Sequence, residues 1–319
     1  MNENILEVEH LTQHFRLGRK EVVHAVDDVS FCIRRGQTLG LVGESGCGKS
    51  SCARSIIRVY DPTGGTILLD GTDITHMSQK QLQPLRRKMQ MVFQDPYSSL
   101  NARMTVRDII AEPLLAHHVV KNREQANSFV YPMLERVGLT REHADRYAHE
   151  FSGGQRQRVG IARALVLQPE LVICDEPISA LDVSIQAQVV NLLRDYQQEK
   201  GLAYLIIAHD LSMVRYVSDV VGVMYLGQLV ELCGAEEIYS HPLHPYTQGL
   251  LSAIPVANPA LARQKKSGGV AGDLPSPVTP PAGCRFHTRC PFAKPICSQE
   301  APCMKEAAPG HSVACHLYD

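Results

Sequence analysis

The run Gly43-Glu44-Ser45-Gly46-Cys47-Gly48-Lys49-Ser50 has the spacing G-x-x-x-x-G-K-[ST], and it directly follows the short apolar stretch Thr38 to Val42. An apolar run that short, ending in glycine, suits a buried strand. Behind the loop, Cys52, Ile56 and Val59 share one helical face. Strand, glycine-rich turn and helix in that order leave few folds open. The glycines Gly43, Gly46 and Gly48 let the backbone curl until successive N–H groups, those of Ser45 and Cys47 among them, point at one anion. The helix start adds the positive end of its dipole. Lys49 then supplies a point charge for β- and γ-phosphates, the Ser50 hydroxyl can ligate Mg²⁺, and Ser51 completes the candidate set. A glycine-rich turn that merely caps a helix is the alternative. The Cys47 thiol could block such a site when oxidised or alkylated; the plainer reading is that only its backbone N–H matters.

Leu171-Val172-Ile173-Cys174-Asp175-Glu176-Pro177 reads as a buried strand ending in two acids. At the carboxyl end of a parallel strand, such acids face the same crevice as the phosphate loop. Asp175 is placed to hold Mg²⁺ through water, and Glu176 can polarise a water attacking a γ-phosphate. Tyr204 to Ala208 is a further apolar run and delivers His209 to the same edge. Between the two, Val189, Leu192, Leu193 and Tyr196 have helical spacing. A lone histidine at a strand end is ordinarily structural or solvated, so His209 draws its candidacy from its neighbours.

Alternation of strand and helix predicts an α/β fold, a largely parallel sheet covered by helices on both faces. A helical subdomain is expected as an insertion over about residues 95–165, where strand signals are few. The 319 residues have room for about two domains at ~150 residues each. A main domain is drawn over residues 1–255, and a linker with a small Cys-rich C-terminal module over 256–319. The second part holds nine of the 19 prolines and, with seven Lys+Arg against four Asp+Glu, is +3 where the whole chain is −1. That near-neutral total predicts no nucleic-acid binding by bulk charge. The start, MNENILEVEH, lacks the layout of a secretory signal, and the longest apolar stretches fall far short of the ~18 residues that span lipid. A soluble, cytosolic chain that reaches a membrane only through a partner is expected.

Phe151-Ser152-Gly153-Gly154-Gln155-Arg156-Gln157-Arg158 lies upstream of Asp175. With it the chain resembles the ATP-binding subunits of ABC transporters, whose signature is L-S-G-G-Q, here with Phe151 in place of leucine. The resemblance implies a P-loop ABC ATPase core. It implies that Ser152, Gly153, Gly154 and Gln155 clamp the γ-phosphate of ATP bound to an opposite subunit. Gln94, within Val92-Phe93-Gln94-Asp95-Pro96, matches the Q-loop that senses Mg²⁺ and γ-phosphate. Ser179-Ala180-Leu181-Asp182 matches the D-loop, and His209 the switch histidine. Phe15 is the candidate aromatic that stacks on adenine, with a strand-core role as its alternative. Catalysis then falls to Glu176, His209, Lys49 and Gln94, with Ser50, Gln94 and Asp175 toward Mg²⁺.

The segment from Arg103, the stretch His241-Pro242-Leu243-His244-Pro245-Tyr246-Thr247 and the cysteine tail are similar to the dipeptide/oligopeptide (and nickel) importer subfamily. The His-Pro-Tyr stretch reads as proline punctuation before a helix from Tyr246 and is assigned no ligand. The subfamily implies an ATPase that energises peptide import. Its partners would be a second, distinct but similar ATPase chain, two membrane-spanning permease subunits and an external substrate-binding protein. It would sit peripherally on the cytoplasmic face of the inner or plasma membrane. Nickel import and a soluble ABC mechanoprotein acting on ribosomes or DNA are the alternatives; the second usually carries two fused cassettes or a long coiled coil, and neither is seen.

Five of the ten cysteines fall in the last 36 residues. Cys284-x5-Cys290-x6-Cys297, with Cys315 beyond, lacks the paired C-x2-C spacing of zinc modules and the compact ferredoxin run. Spacing alone leaves metal binding, reduced thiols and adventitious zinc open. The subfamily resemblance implies a [4Fe–4S] cluster on Cys284, Cys290, Cys297 and Cys315, with Cys303 extra to the pattern. A structural staple is expected over a redox sensor, because so short a module buries little apolar surface alone.

Overall fold

Three pentapeptide-scale apolar runs set the centre of the molecule. In the computed structural model, which describes residues 3–18, 21–178, 183–209, 211–254, 269–270 and 272–319, they are β3 (Thr38–Val42), β7 (Leu171–Asp175) and β8 (Ala203–Ala208), buried along their whole lengths. Burial on both faces is what a parallel strand under two layers demands, and it explains why these segments read as continuous apolar runs without alternation. β6 (Met89–Val92) and β9 (Val220–Tyr225) complete a parallel block in the order β9-β3-β8-β7-β6. The sheet continues antiparallel through β10 (Gln228–Gly234) to a C-terminal hairpin, β12 (His311–Val313) and β11 (Lys305–Ala308).

A second, antiparallel sheet has the order β2-β1-β4-β5, from β1 (Asn4–Leu17), β2 (Glu21–Arg34), β4 (Gly64–Leu69) and β5 (Thr72–Asp73). Ile5, Leu11, Val29 and Ile33 from its inner face meet Leu41, Ile173 and Ile207 of the main sheet. Between the sheets runs α1 (Lys49–Ile56), which buries Cys52, Ala53 and Ile56. The helix is shorter than its apolar spacing suggests. Arg58 turns to φ +59°, which ends it, and Val59 is left 53% exposed instead of joining the apolar face. Buried Arg58 gains the carbonyl of Ile74 and the carboxylate of Asp61 in exchange.

Helices occupy the stretch expected to be helical: α3 (Pro96–Ser99), α4 (Val106–Ala116), α5 (Arg123–Arg136) and α6 (Gly153–Leu165), after α2 (Gln79–Arg86) and before β7. They bury Val106, Ile110, Leu114, Val130, Leu134 and Leu165 in a core that continues onto the main sheet through Val172, Cys174, Tyr204 and Ile206. Four more helices, α7 (Val183–Lys200), α8 (Leu211–Val217), α9 (Ala235–Ser240) and α10 (Pro245–Ser252), cover the remaining sheet. α10 starts where the His-Pro-Tyr punctuation places it, with His244 as its cap. The candidate D-loop residue Asp182 and the boundary near residue 255 lie outside the described residues.

Candidate nucleotide site

Because β3, β8 and β7 are neighbours and parallel, the loops at their carboxyl ends open into one crevice. The loop after β3 places Lys49 at the first turn of α1. Two glycines make that path possible. Gly43 has φ +152° and Gly48 φ +106°, and a Cβ at either would fall against a backbone oxygen, of Met224 and of Ala25 respectively. Lys49 is 4% exposed, and its Nζ donates to Gly43 O at 2.7 Å and Glu44 O at 2.9 Å. The ammonium is thereby held at the loop by neutral carbonyls, which an incoming phosphate can replace with full charge. Cys47 lies beside it, Sγ to Nζ 3.6 Å, but burial raises the thiol above its usual pKa against the opposing pull of Lys49. A protonated, buried thiol is a poor nucleophile, which favours the backbone reading of Cys47.

Asp175 ends β7 with its side chain fully buried. Burial pushes its carboxyl above the ordinary carboxylate range, while a hydrogen bond from Ser50 Oγ to Oδ1, 2.7 Å, opposes the shift. Its other oxygen, Oδ2, accepts no hydrogen bond among the described residues and has the Arg54 guanidinium at 3.7 Å. A buried carboxylate with one oxygen on a hydroxyl and the other unsatisfied fits Mg²⁺. Hard cations take oxygen donors, and Mg²⁺ takes few protein ligands. Ser50 and Asp175 would hold the ion, which on binding supplies Lewis-acid neutralisation of phosphate charge.

Glu176 follows at φ +47°, a left-handed conformation that costs a non-glycine residue on the order of 1–3 kcal/mol. Its N–H donates to Ile207 O at 3.0 Å, so β8 sustains the strained turn and turns the carboxylate into the crevice. There Gln94 Nε2 donates to Glu176 Oε2 at 2.8 Å, and His209 Nδ1 lies 3.6 Å from the same oxygen. Gln94 comes from the end of β6, Glu176 from β7 and His209 from β8. Three side chains from just beyond the ends of three adjacent strands thus meet at one carboxylate oxygen.

A cavity of about 270 Å³ lies before these groups. It is lined by Phe15, Val23 and Ala25, by Ser45, Gly46, Gly48, Lys49, Ser50 and Ser51, and by Gln94, Glu176 and Pro277. Phe15, on β1, also meets Tyr60 edge-on with centroids 5.1 Å apart, so its ring serves the pocket wall and a packing contact together. Ser152, Gly153, Gly154 and Gln155 do not line this cavity. They form the start of α6, with Ser152 exposed and the other three half-buried, where Ser152 Oγ accepts from Gln155 N–H and Gln155 Oε1 accepts from Ser152 N–H, a reciprocal cap.

The sequence did not single out three contributors from the C-terminal part. Pro277 walls the cavity and its carbonyl accepts from His24 N–H at 2.9 Å. Tyr246 Oη accepts from Glu44 N–H at 2.8 Å, and Arg289 pairs with the Glu44 carboxylate at 2.7 and 3.0 Å. The His-Pro-Tyr stretch was the available signal, but only for Tyr246. Beside the cavity, Asp27 takes His14 Nε2 at 2.5 Å, His24 Nδ1 at 3.1 Å and the Arg285 guanidinium. Burial would raise the pKa of Asp27, but the hydrogen bonds and charges of His14 and Arg285 outweigh it and lower it.

In the tail, burial raises Cys284 to about 11, and the charges of Cys297, Cys315 and Cys290 add to the shift. Cys290 and Cys315 are raised too, chiefly by burial. Cys303 is exposed and enters none of these couplings. No three of the sulfurs lie within 4.8 Å of one another; among the described residues only His14, His24 and Asp27 form so tight a donor group.

The ABC transporter family model matches residues 26–179, and that of the C-terminal region of oligopeptide/dipeptide transporters matches residues 230–297. The oligopeptide transport ATP-binding protein AppF of Bacillus subtilis (strain 168) is 56% identical across 99% of this chain and 98% of its own. OppF of Escherichia coli (strain K12), of the same description, is 49% identical across 99% and 96%. The dimeric ATP-binding cassette MJ0796, solved in a post-hydrolysis state with ADP and Pi, superposes with a TM-score of 0.68 at 25% identity, over 72% of this chain and 98% of that one. The loop that holds Lys49, the Ser50–Asp175 pair and the Gln94–Glu176–His209 cluster are thus set in a full-length sequence likeness, and the chain belongs to the ABC transporter family as an ATP-hydrolysing, ATP-binding subunit.

Proposed function

We propose that this chain hydrolyses Mg·ATP to drive uptake of short peptides through a membrane permease. The observation that carries the chemistry is a cavity lined by Lys49 and Ser50 together with Gln94 and Glu176, with His209 reaching the same Glu176 oxygen. Glu176 is the base: its Oε2 takes a proton from the attacking water. Gln94 and His209 hold that oxygen in place, and His209 and Lys49 bear on the γ-phosphate. Lys49 exchanges the carbonyls of Gly43 and Glu44 for phosphate oxygens. Electrostatic stabilisation and positioning supply most of the rate in such transfers.

A single chain leaves its signature residues outside its own cavity, with the N-terminus of α6 and Ser152 open to solvent. That arrangement suits a second, similar ATPase chain, each copy offering Ser152 to Gln155 to the other's γ-phosphate. Two permease subunits and an external substrate-binding protein complete the assembly, which the chain joins peripherally. No helix among the described residues is long and apolar enough to cross a membrane. The oligopeptide description of the relatives supports peptide cargo. For the tail, the reading is a structural [4Fe–4S] cluster on Cys284, Cys290, Cys297 and Cys315. The shared burial of Cys284, Cys290 and Cys315, and the mutual influence of their charges and that of Cys297, support it. Glu176→Gln should slow ATP turnover by a factor of about 100 or more, the usual range for a general base, while ATP still binds and paired subunits accumulate. Hydrolysis at the wild-type rate would refute the assigned base.

A further inference from the structure

Glu44 occupies a position where the phosphate-loop spacing allows any residue, and an acid there is a poor choice for a site that receives ATP. The structure pins it from three sides. Its N–H donates to Tyr246 Oη at 2.8 Å, its carbonyl accepts from Lys49 Nζ at 2.9 Å, and its carboxylate receives Arg289 Nη1 at 2.7 Å and Nη2 at 3.0 Å. Tyr246 is fully buried and the Arg289 side chain is 5% exposed. The guanidinium also donates to Gly272 O at 2.8 Å and reaches Tyr225 Oη at 3.4 Å. A planar cation held at both ends of its fork has little freedom left. It neutralises Glu44 and fixes the peptide whose carbonyl holds Lys49.

We propose that Arg289 is a positioning residue of the nucleotide site, clamping Glu44 so that the loop keeps its phosphate-binding shape, with Tyr246 as the second support. The inference rests on the ATP reading above and assigns a role in it to the Cys-rich segment. Arg289 adjoins Cys290, and Arg285, which adjoins Cys284, holds Asp27 on β2 close to the pocket residues Val23 and Ala25. The fold of that segment is thus mechanically joined to the cradle, at two points 245 and 258 residues distant in sequence. A preorganised cradle binds more tightly because less loop freedom is lost on binding.

The test uses the full-length chain, titrated with ATP and assayed for turnover, with thermal unfolding followed in parallel without nucleotide. Arg289→Met should weaken ATP binding about tenfold, the worth of one charge-assisted pair, raising KM with kcat changed less than twofold. Glu44→Gln should remove the same clamp, and the double variant should be no weaker than the worse single one. Unchanged ATP affinity in either folded variant, or losses that multiply in the double variant, would overturn the clamp. If Arg289→Met fails to fold, Glu44→Gln decides alone by the same affinity criterion. A wild-type chain that binds no ATP would instead overturn the nucleotide reading on which the clamp rests.

Discussion

Asp175→Asn separates two roles that the geometry of this residue allows. The carboxylate is fully buried, accepts the Ser50 hydroxyl at 2.7 Å, and sits 3.7 Å from Arg54. If it were mainly the partner of Arg54, removing its charge would break a buried pair at about 3–5 kcal/mol. The structure argues for a smaller cost. Arg54 keeps a third of its side chain in solvent, so the pair is screened and worth ~1 kcal/mol or less. Exchanging a charged for a neutral acceptor at Ser50 loses about 1 kcal/mol, and relieving a desolvated charge with an unsatisfied oxygen returns a similar amount. The nucleotide-free variant should therefore unfold within about 1 kcal/mol of wild type, or roughly 2–4 °C in Tm. Since burial raises the folded-state pKa above the ordinary 3.8, the stability linked to protonated Asp175 is complete below that pH and lost as pH rises through the raised value. Any advantage of the variant should accordingly appear near neutrality and vanish on acidification. Saturating Mg·ATP should stabilise wild type by about 2.7 kcal/mol at 100 times Kd, and the variant should lose the Mg²⁺-dependent part of that gain. Differential scanning fluorimetry with ATP plus Mg²⁺ against ATP plus chelator reads both effects. A nucleotide-free loss above about 3 kcal/mol, or an undiminished Mg²⁺-dependent shift, would refute the assignment.

Lys49→Ala should weaken ATP binding itself by a factor of about 10 to 100, the value of a buried charge-assisted contact, measured by direct titration; unchanged affinity would remove Lys49 from the site. For the tail, Cys290→Ser should lower the iron bound per chain to below about half of wild type and Cys303→Ser should leave it unchanged, as Cys303 stands outside the coupled set. Iron analysis and the visible absorbance of the purified chain check both, and equal losses at the two positions would contradict the ligand set.

What could be read from the sequence was chemistry carried by contiguous residues. The loop from Gly43 to Ser50 declares itself because its glycines, lysine and serine act at consecutive positions, and its flanking strand and helix have periods of their own. Asp175, Glu176 and His209 were legible because they close or directly follow buried apolar runs, and parallel neighbours necessarily present such residues at one edge. Chain reversals were less legible. Nothing in the apolar spacing of Cys52, Ile56 and Val59 shows that Arg58 will turn left-handed, since that turn is rewarded by Ile74 and Asp61 outside the helix. The strain at Glu176 was hidden for the same reason, being sustained by a hydrogen bond to Ile207 on the neighbouring strand.

The least legible part was the relation of the C-terminal residues to the nucleotide site. Arg285 and Arg289 are two unpatterned cations in a cysteine-rich segment, and their partners Asp27 and Glu44 lie near the other end of the chain. A prolyl and glycyl composition is what linkers have, yet Pro277 forms part of the cavity wall. The reason lies in the sheet. β12 adds to β10 with Glu231 opposite Val313, and buried Glu231 accepts His311 Nε2 at 2.7 Å together with the N–H groups of Leu243 and His244. Burial lowers His244 to about 3, so it stays neutral and its Nδ1 can accept Tyr246 N–H to cap α10. One carboxylate thereby anchors the last strand and the turn that delivers Tyr246 to the phosphate loop. Each of these bonds joins residues whose sequence separation carries no periodic signal. A tail that looks like an appendage by composition is fastened, bond by bond, to the residue beside Gly43.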